Sequence, residues 1–96
     1  MPVYFIGQVE LEDPEAYARY MERATPSVIA AGARVLAADD HVEPIEGDWH
    51  GTRTVIMEFS DEAAFRAWYD STEYEAARQI RLPAANLHAA LVHGLE

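Results

Sequence analysis

The sequence contains no cysteine and no lysine, and each absence excludes a class of function. Without cysteine, the 96-residue chain has no disulfide framework, no thiol nucleophile and no thiolate-bound zinc or iron–sulfur centre. All seven basic residues are arginines, and they face 17 acidic residues, so the net charge is −10. Because phosphate backbones and anionic membranes repel a domain of this charge, we expect no nucleic-acid partner and no membrane partner.

Long apolar runs and a secretory signal are also missing. No stretch approaches the roughly 18 apolar residues that a membrane span requires. Together with the absence of cysteine, this predicts a cytoplasmic protein. Half of the residues are hydrophobic and 10% are aromatic, which is typical of a folded domain. The length predicts a single domain over residues 1–96.

Apolar residues alternate with polar ones in four segments, which predicts four strands. The expected strands are Val3–Leu11, Arg34–Ala38, Arg53–Phe59 and Leu87–His93. After a bend, the segment His41–Ile45 could resume the second strand at an edge of the sheet.

Helical spacing and capping residues predict two helical segments between these strands. The first begins at Asp13-Pro14 and ends at Gly32, with a kink or a restart expected at Pro26. The second begins at Ser60 and restarts as Thr72–Leu82. The resulting order is strand, helix, strand, strand, helix, strand.

This βαββαβ order predicts the α+β ferredoxin-like fold with a four-stranded antiparallel sheet. In that fold the first and third strands are central, and right-handed crossovers place the helices on one face. The opposite face carries Tyr4, Ile6 and Ile56, which are too apolar to leave in water. A second copy of the same sheet is the most economical cover, so we expect a homodimer through this face.

The strongest candidate site lies near the start of the third strand. There Arg53 could bind a carboxylate or an enolate, Trp49 could form an aromatic wall, and His50 could act as acid or base. In the alternative interpretation, Arg53 pairs with a nearby acid, such as Glu46 or Asp48, and Trp49 only closes the hairpin.

The second helical segment adds two ligand-binding candidates, Trp68 and Arg81. Trp68 and Tyr69 are adjacent, so both cannot face the centre of the core, and one of them should line the gap beneath the helix. This residue could equally serve packing alone. Arg81 shares a stripe with Tyr74 and Ala77, where it could contact an acid, a helix-end carbonyl or an anionic ligand.

Other site chemistries find no support in the residue spacing. The histidines lack metal-ligand spacing, so no metal site is predicted; they are His41, His50, His88 and His93. Serine-nucleophile motifs and phosphate-binding loops are also absent. We therefore expect no cofactor.

Several motifs follow one another over nearly the whole chain. They are Asp13-Pro14 with Tyr17 and Tyr20, Glu46-Gly47-Asp48-Trp49, Arg53 leading into Val55-Ile56-Met57-Glu58-Phe59, and Trp68-Tyr69 followed by Ser71, Glu73-Tyr74, Ala77 and Arg81. In this combination the sequence resembles the domain of unknown function 1330 family of the dimeric α/β-barrel superfamily. The resemblance implies a homodimer in which two four-stranded sheets form a shared barrel, and it implies no reaction. Relatives by fold include cofactor-independent monooxygenases, haem-degrading enzymes, muconolactone-type isomerases and ligand-binding sensors.

Two hypotheses for the function follow, and both use a small apolar pocket between the sheet and the helices. In the first, the protein is an enzyme that isomerises or oxygenates a small aromatic or enolisable acid without a cofactor. Arg53 would hold the anion, and His50 or a tyrosine would carry the proton. In the second, the protein is a non-catalytic ligand-binding or regulatory dimer. The enzyme requires a titratable group that points into the pocket within hydrogen-bonding reach of Arg53, whereas the binding protein can have only apolar walls and one anchor.

Overall fold

Seven elements follow one another along residues 1–95, the part of the chain that this computed structural model describes. They are β1 (Val3–Leu11), α1 (Pro14–Ala30), β2 (Arg34–Asp39), β3 (Arg53–Phe59), α2 (Glu62–Tyr69), α3 (Thr72–Arg81) and β4 (Ala85–His93). No helix in this part of the chain combines the length and the apolar character needed to cross a membrane.

The four strands form one antiparallel sheet in the order β2-β3-β1-β4. The central position of β1 and β3 confirms the predicted ferredoxin-like α+β fold. Along β1, Val3, Phe5 and Val9 are buried beneath the helices. The alternate residues lie on the opposite side of the sheet, here called the outer face, which in β1, β3 and β4 comprises Tyr4, Ile6, Gln8, Glu10, Thr54, Ile56, Glu58, Asn86, His88, Ala90 and Val92.

An aromatic cluster fixes α2 and α3 to the sheet. The ring centroids of Phe5 and Phe65 are 5.4 Å apart, and those of Trp68 and Tyr74 are 4.1 Å apart. Such pairs contribute about 0.5–1.5 kcal/mol each beyond the area that they bury. Tyr74 is completely buried. The cluster therefore determines where the second helical segment lies over the sheet.

The N-caps of α2 and α3 lie one residue from the predicted positions, and α1 is continuous. α1 continues through Pro26, so of the two expected alternatives the restart does not occur and the kink stays a prediction; the buried stripe of α1 holds the turn against the sheet although one backbone hydrogen bond is missing. Asp61, not Ser60, caps α2, because the Asp61 carboxylate accepts a hydrogen bond from the amide of Ala64 at 2.8 Å. Ser71 caps α3, so this helix starts with Thr72 inside its first turn.

The segment after β2 is a loop, residues 40–52, rather than a continued edge strand. The expected strand at 41–45 is wrong. One reason is local: the Asp39 carboxylate accepts a hydrogen bond from the His41 amide at 2.7 Å, which turns the backbone out of the sheet. Pro44 then has no amide hydrogen for a ladder. At the other end of the chain, β4 begins two residues earlier than predicted, at Ala85.

Gly51 brings the end of this loop against the backbone of β1. Its φ is +72°, and a Cβ at this position would lie 2.0 Å from the carbonyl oxygen of Val9. Gly47 has nearly the same φ, +73°, but a Cβ there would meet nothing within 4 Å. Comparing substitutions at the two glycines therefore separates the cost of a positive φ from the cost of a steric clash.

We expect Gly51→Ala to lower the free energy of unfolding by at least about 2 kcal/mol more than Gly47→Ala does. Both variants carry the cost of a left-handed backbone, about 1–2 kcal/mol, but only Gly51→Ala forces the loop away from β1. Urea denaturation followed by circular dichroism measures the difference. Equal losses in the two variants would contradict the close approach.

Candidate functional site

A cavity of about 250 Å³ lies between the helix-facing side of the sheet and α1. Most of its wall is apolar and comes from the sheet and α1, with contributions from Phe5, Met21, Val55, Met57 and Leu87. The polar contributions come from Arg53, Arg81, Thr25, two tyrosines and Trp68. No aspartate, glutamate or histidine is among the lining residues in the described part of the chain. A cavity with this wall suits an apolar body with an anionic head.

Arg81 is a buried cation without a carboxylate partner. It belongs to the last turn of α3, is 6% exposed, and its Cζ lies 5.9 Å from the ring centroid of Tyr20. Its Nε has no hydrogen-bond partner, and none of the ion pairs within residues 1–95 includes Arg81. A buried charge is costly unless it is paired. The sequence left three partners open for Arg81: an acid, a helix-end carbonyl or an anionic ligand. Within residues 1–95, no acid pairs with it.

Arg53 opens β3 and reaches the same cavity from the sheet. Its side chain is mostly buried, and its Nη1 donates to Asp40 Oδ1 at 2.5 Å. Arg53 thus pairs with a nearby acid, as the alternative interpretation expected, but this acid is Asp40 and neither of the two that it named, Glu46 and Asp48. The Nε of Arg53 has no partner, and its Cζ lies 5.8 Å from the ring centroid of Tyr17. Arg53 is thus compensated on its solvent side, while its Nε has a hydrogen bond still to donate.

Two tyrosines of α1 complete the polar wall. The hydroxyls of Tyr20 and Tyr74 are 2.9 Å apart and are hydrogen-bonded in the core. Burial raises the pKa of Tyr20 far above its ordinary value, and the neighbouring Tyr74 raises it further. Burial also raises the pKa of Tyr17, although the positive charges of Arg53 and Arg81 act in the opposite direction. Both α1 phenols are therefore neutral at physiological pH and are hydrogen-bond donors rather than bases.

Trp68 forms both part of the core and part of the cavity wall. It is 3% exposed, and its indole N–H donates to Ser27 Oγ at 3.0 Å. Of the adjacent pair Trp68 and Tyr69, only Trp68 lines the cavity.

Trp49 and His50 lie on the outer face, away from the cavity. The Trp49 indole N–H donates to Thr54 Oγ1 at 2.9 Å. His50 stacks on His88 with ring centroids 3.6 Å apart, and its Nε2 lies 3.0 Å from the carbonyl oxygen of Asn86. Thr54 and His88 both pair with Gln8, whose side chain is on the outer face. The structure therefore does not bring Trp49 and His50 to the cavity with Arg53, because the chain crosses to the other side of the sheet just before β3.

Three residues of this site carry no signal in the sequence that marks them as functional. Tyr17 and Tyr20 had the spacing of a core stripe, which they also form, and no pattern marked their hydroxyls. Nothing in the sequence links Asp40 to Arg53, so the sequence predicts no role for it.

Two further features of residues 1–95 bear on the choice of site. No group of three histidine, aspartate or glutamate side chains lies close enough together to hold a metal ion. A wider groove of about 630 Å³ runs between α1 and α2, lined mainly by small and solvent-exposed side chains such as Ala30, Ala64 and Ala67. This groove has no buried charge, so the smaller cavity is the better candidate.

Comparison with known proteins gives a family and a fold. The family model described as domain of unknown function (DUF1330) matches residues 2–95. A protein of unknown function from Rhodopseudomonas palustris is 22% identical, with a TM-score of 0.82 over 99% of this chain and 83% of that chain. No curated protein matches the chain.

Two other solved structures share the fold at lower similarity. SnoaB, a cofactor-independent oxygenase from Streptomyces nogalater, is 14% identical, with a TM-score of 0.69 over 99% of this chain and 94% of that chain. A dimeric ferredoxin-like protein of unknown function from Thermobifida fusca is 20% identical, with a TM-score of 0.66 over 98% of this chain and 92% of that chain. At these identities the similarity shows the fold alone.

The burial of Arg81 predicts that it lowers stability in the absence of a ligand. We expect Arg81→Met to raise the free energy of unfolding by about 1 kcal/mol or more, because an apolar side chain of similar length removes an unpaired buried charge. Urea denaturation checks this. Arg78→Met is the matched control, since Arg78 is partly exposed and paired with Glu75; its change should stay within about 0.5 kcal/mol. A clear loss of stability in Arg81→Met would make Arg81 a structural residue.

Proposed function

The chain belongs to the family described as domain of unknown function (DUF1330), and we propose that its function is to bind a small organic acid in the cavity between sheet and helices. The anionic head of the acid contacts Arg81 and the Nε of Arg53. The observation that carries this proposal is the buried Arg81 guanidinium, which has no carboxylate partner within residues 1–95. A bound anion supplies the missing charge and accepts the unused hydrogen bonds.

The size and the walls of the cavity support a small acid with an apolar body. At roughly 30 Å³ for each water-sized group, a volume of about 250 Å³ holds about eight such groups. Phe5, Met57 and Trp68 offer the body an aromatic and aliphatic surface. An aromatic or short aliphatic monoacid fits this description, whereas a nucleotide is too large.

The arrangement also supports cofactor-independent chemistry on an enolisable acid. Two guanidinium groups stabilise negative charge that develops on an enolate oxygen, and a neutral Tyr17 hydroxyl can donate a hydrogen bond to it. Tyr17 would therefore stabilise the enolate, which differs from the proton-carrying role for which the sequence offered His50 or a tyrosine. SnoaB, which has the same fold, is described as a cofactor-independent oxygenase, and this supports oxygenation as the reaction class.

Non-catalytic binding is the second candidate function, and the composition of the wall favours it. No carboxylate and no imidazole is among the lining residues within 1–95, and both α1 tyrosines have raised pKa values. The cavity thus lacks an evident general base at neutral pH. Incubating the bound acid with protein in air and analysing it by mass spectrometry separates the two functions, because only an enzyme changes the mass or the isomer of the acid.

We further propose that a second copy of the chain covers the outer face. This face carries Tyr4, Ile6 and Ile56 at its centre and Val92 on β4, none of which the helices can reach. The Thermobifida fusca protein of the same fold is described as dimeric, which supports the same assembly here. Two sheets packed in this way would form the shared α/β barrel.

A thermal-shift screen of small aromatic and aliphatic monoacids, benzoate included, tests acid binding. An acid at a hundred times its Kd should stabilise the protein by about 2.7 kcal/mol, which moves the Tm by several degrees. The shift should disappear in Arg53→Ala and in Arg81→Met. Arg66→Ala, which removes an exposed arginine of α2 with the same loss of charge, should keep it. A shift that survives in both cavity variants would refute the proposed site.

Ile56→Asp tests the dimer. A carboxylate at the centre of the outer face should convert the dimer into a monomer or an aggregate, because a stable interface of roughly 1,000 Å² or more cannot bury an unpaired charge there. Light scattering with size-exclusion chromatography measures the mass. Ile45→Asp, at an isoleucine that is 90% exposed, is the matched control and should remain dimeric. A monomeric native protein at micromolar concentration would contradict the proposal.

A further inference from the structure

The ion pair between Asp40 and Arg53 changes the charge that the cavity offers to a ligand. Asp40 follows β2 directly and is largely exposed, whereas the Arg53 side chain is only 18% exposed. The contact between Asp40 Oδ1 and Arg53 Nη1 therefore lies on the solvent side of the guanidinium. The Nε of Arg53 is buried and has no partner.

The charges around the cavity do not balance. Its lining contains two arginines, Arg53 and Arg81, and no acidic residue within the described part of the chain. Asp40 compensates Arg53 from outside, and nothing comparable compensates Arg81. One positive charge is left over, and it is the buried one.

We propose that Asp40 determines specificity by restricting the cavity to acids with a single negative charge, an inference that rests on the proposed acid-binding function. A monoanion balances the remaining charge of Arg81 and can still accept a hydrogen bond from the Nε of Arg53. A dianion brings a second negative charge into a mostly apolar cavity, where its only other cation is already paired with Asp40. The dianion therefore loses solvation without gaining an equivalent partner.

Asp40 acts here through Arg53 and does not contact the ligand. Its effect is electrostatic, so it should scale with the charge of the ligand and should depend on the carboxylate rather than on the length of the side chain. These two properties distinguish it from a residue that merely holds the loop in place.

The test compares glutarate with its monomethyl ester, which have the same carbon chain and differ by one negative charge. Isothermal titration calorimetry gives the Kd of each for the native protein and for Asp40→Asn, Asp40→Glu and Asp48→Asn. Asp48→Asn is the control for the overall charge, because Asp48 is an exposed loop residue that forms no ion pair within residues 1–95.

The native protein should bind the monoester more tightly than glutarate. Asp40→Asn should tighten monoester binding several-fold and glutarate binding by about the square of that factor, because Coulomb energy is proportional to the charge of the ligand. Asp40→Glu should keep the native preference, and Asp48→Asn should change either Kd by less than about twofold, since exposed charges are screened.

Other outcomes separate this inference from the function on which it rests. If the monoester binds but Asp40→Asn and Asp48→Asn change the preference equally, or if native protein prefers glutarate, the role of Asp40 is refuted and acid binding stands. The role is also refuted if Asp40→Glu loses the native preference. If neither probe and no acid of the thermal-shift screen binds the native protein, the proposed function fails and this inference fails with it.

Discussion

The hydrogen bond between the hydroxyls of Tyr20 and Tyr74 fixes the distance between α1 and α3 in the core of the protein. Each phenol satisfies the other where water does not reach, so neither is left as an unpaired buried polar group. Because the rings are bulky and joined at their tips, the two helices cannot close completely over the sheet. The cavity lies beside this contact, and Tyr20 belongs to both. The void is thus a consequence of how the aromatic side chains pack.

Stability and the proposed ligand binding favour different side chains at position 81. Arg81 continues the buried stripe of α3 that includes Tyr74 and Ala77, where an apolar side chain would pack without an electrostatic cost. A guanidinium in that place is useful only if something negative joins it. The Coulomb attraction between the Arg81 guanidinium and an anion is strong at this place, because the surrounding wall is mostly apolar and the guanidinium is already desolvated. In the proposed function, the unbound state carries the cost of an unpaired buried charge, and binding of an acid removes that cost.

The sequence predicts the order of elements and the helix-facing side of β3, because strand alternation and capping residues are local signals. It misplaces the start of α2 by one residue, since Ser60 and Asp61 are both competent caps and only tertiary packing decides between them. Arg53, Arg81 and Trp68 lie at the cavity because their positions follow from element periodicity. Trp49 and His50 precede β3 in a loop, where no periodicity reports which side of the sheet a side chain reaches. The contact of Asp40 with Arg53 is likewise invisible, because it joins a loop to a strand across a turn.

The loop of residues 40–52 contacts both sides of the sheet, so it connects the cavity to the outer face. At one end Asp40 is paired with Arg53 at the cavity, and at the other Trp49 and His50 rest against Thr54 and His88 on the outer face. Between His50 and Arg53, Gly51 packs directly against the backbone of β1. If the loop moves as one rigid body, a change in its contacts at the cavity alters the free energy of its contacts on the outer face. If the proposed acid binding shifts Asp40 relative to Arg53, linkage requires that the contacts of Trp49 and His50 and the affinity for the acid change each other by the same free energy.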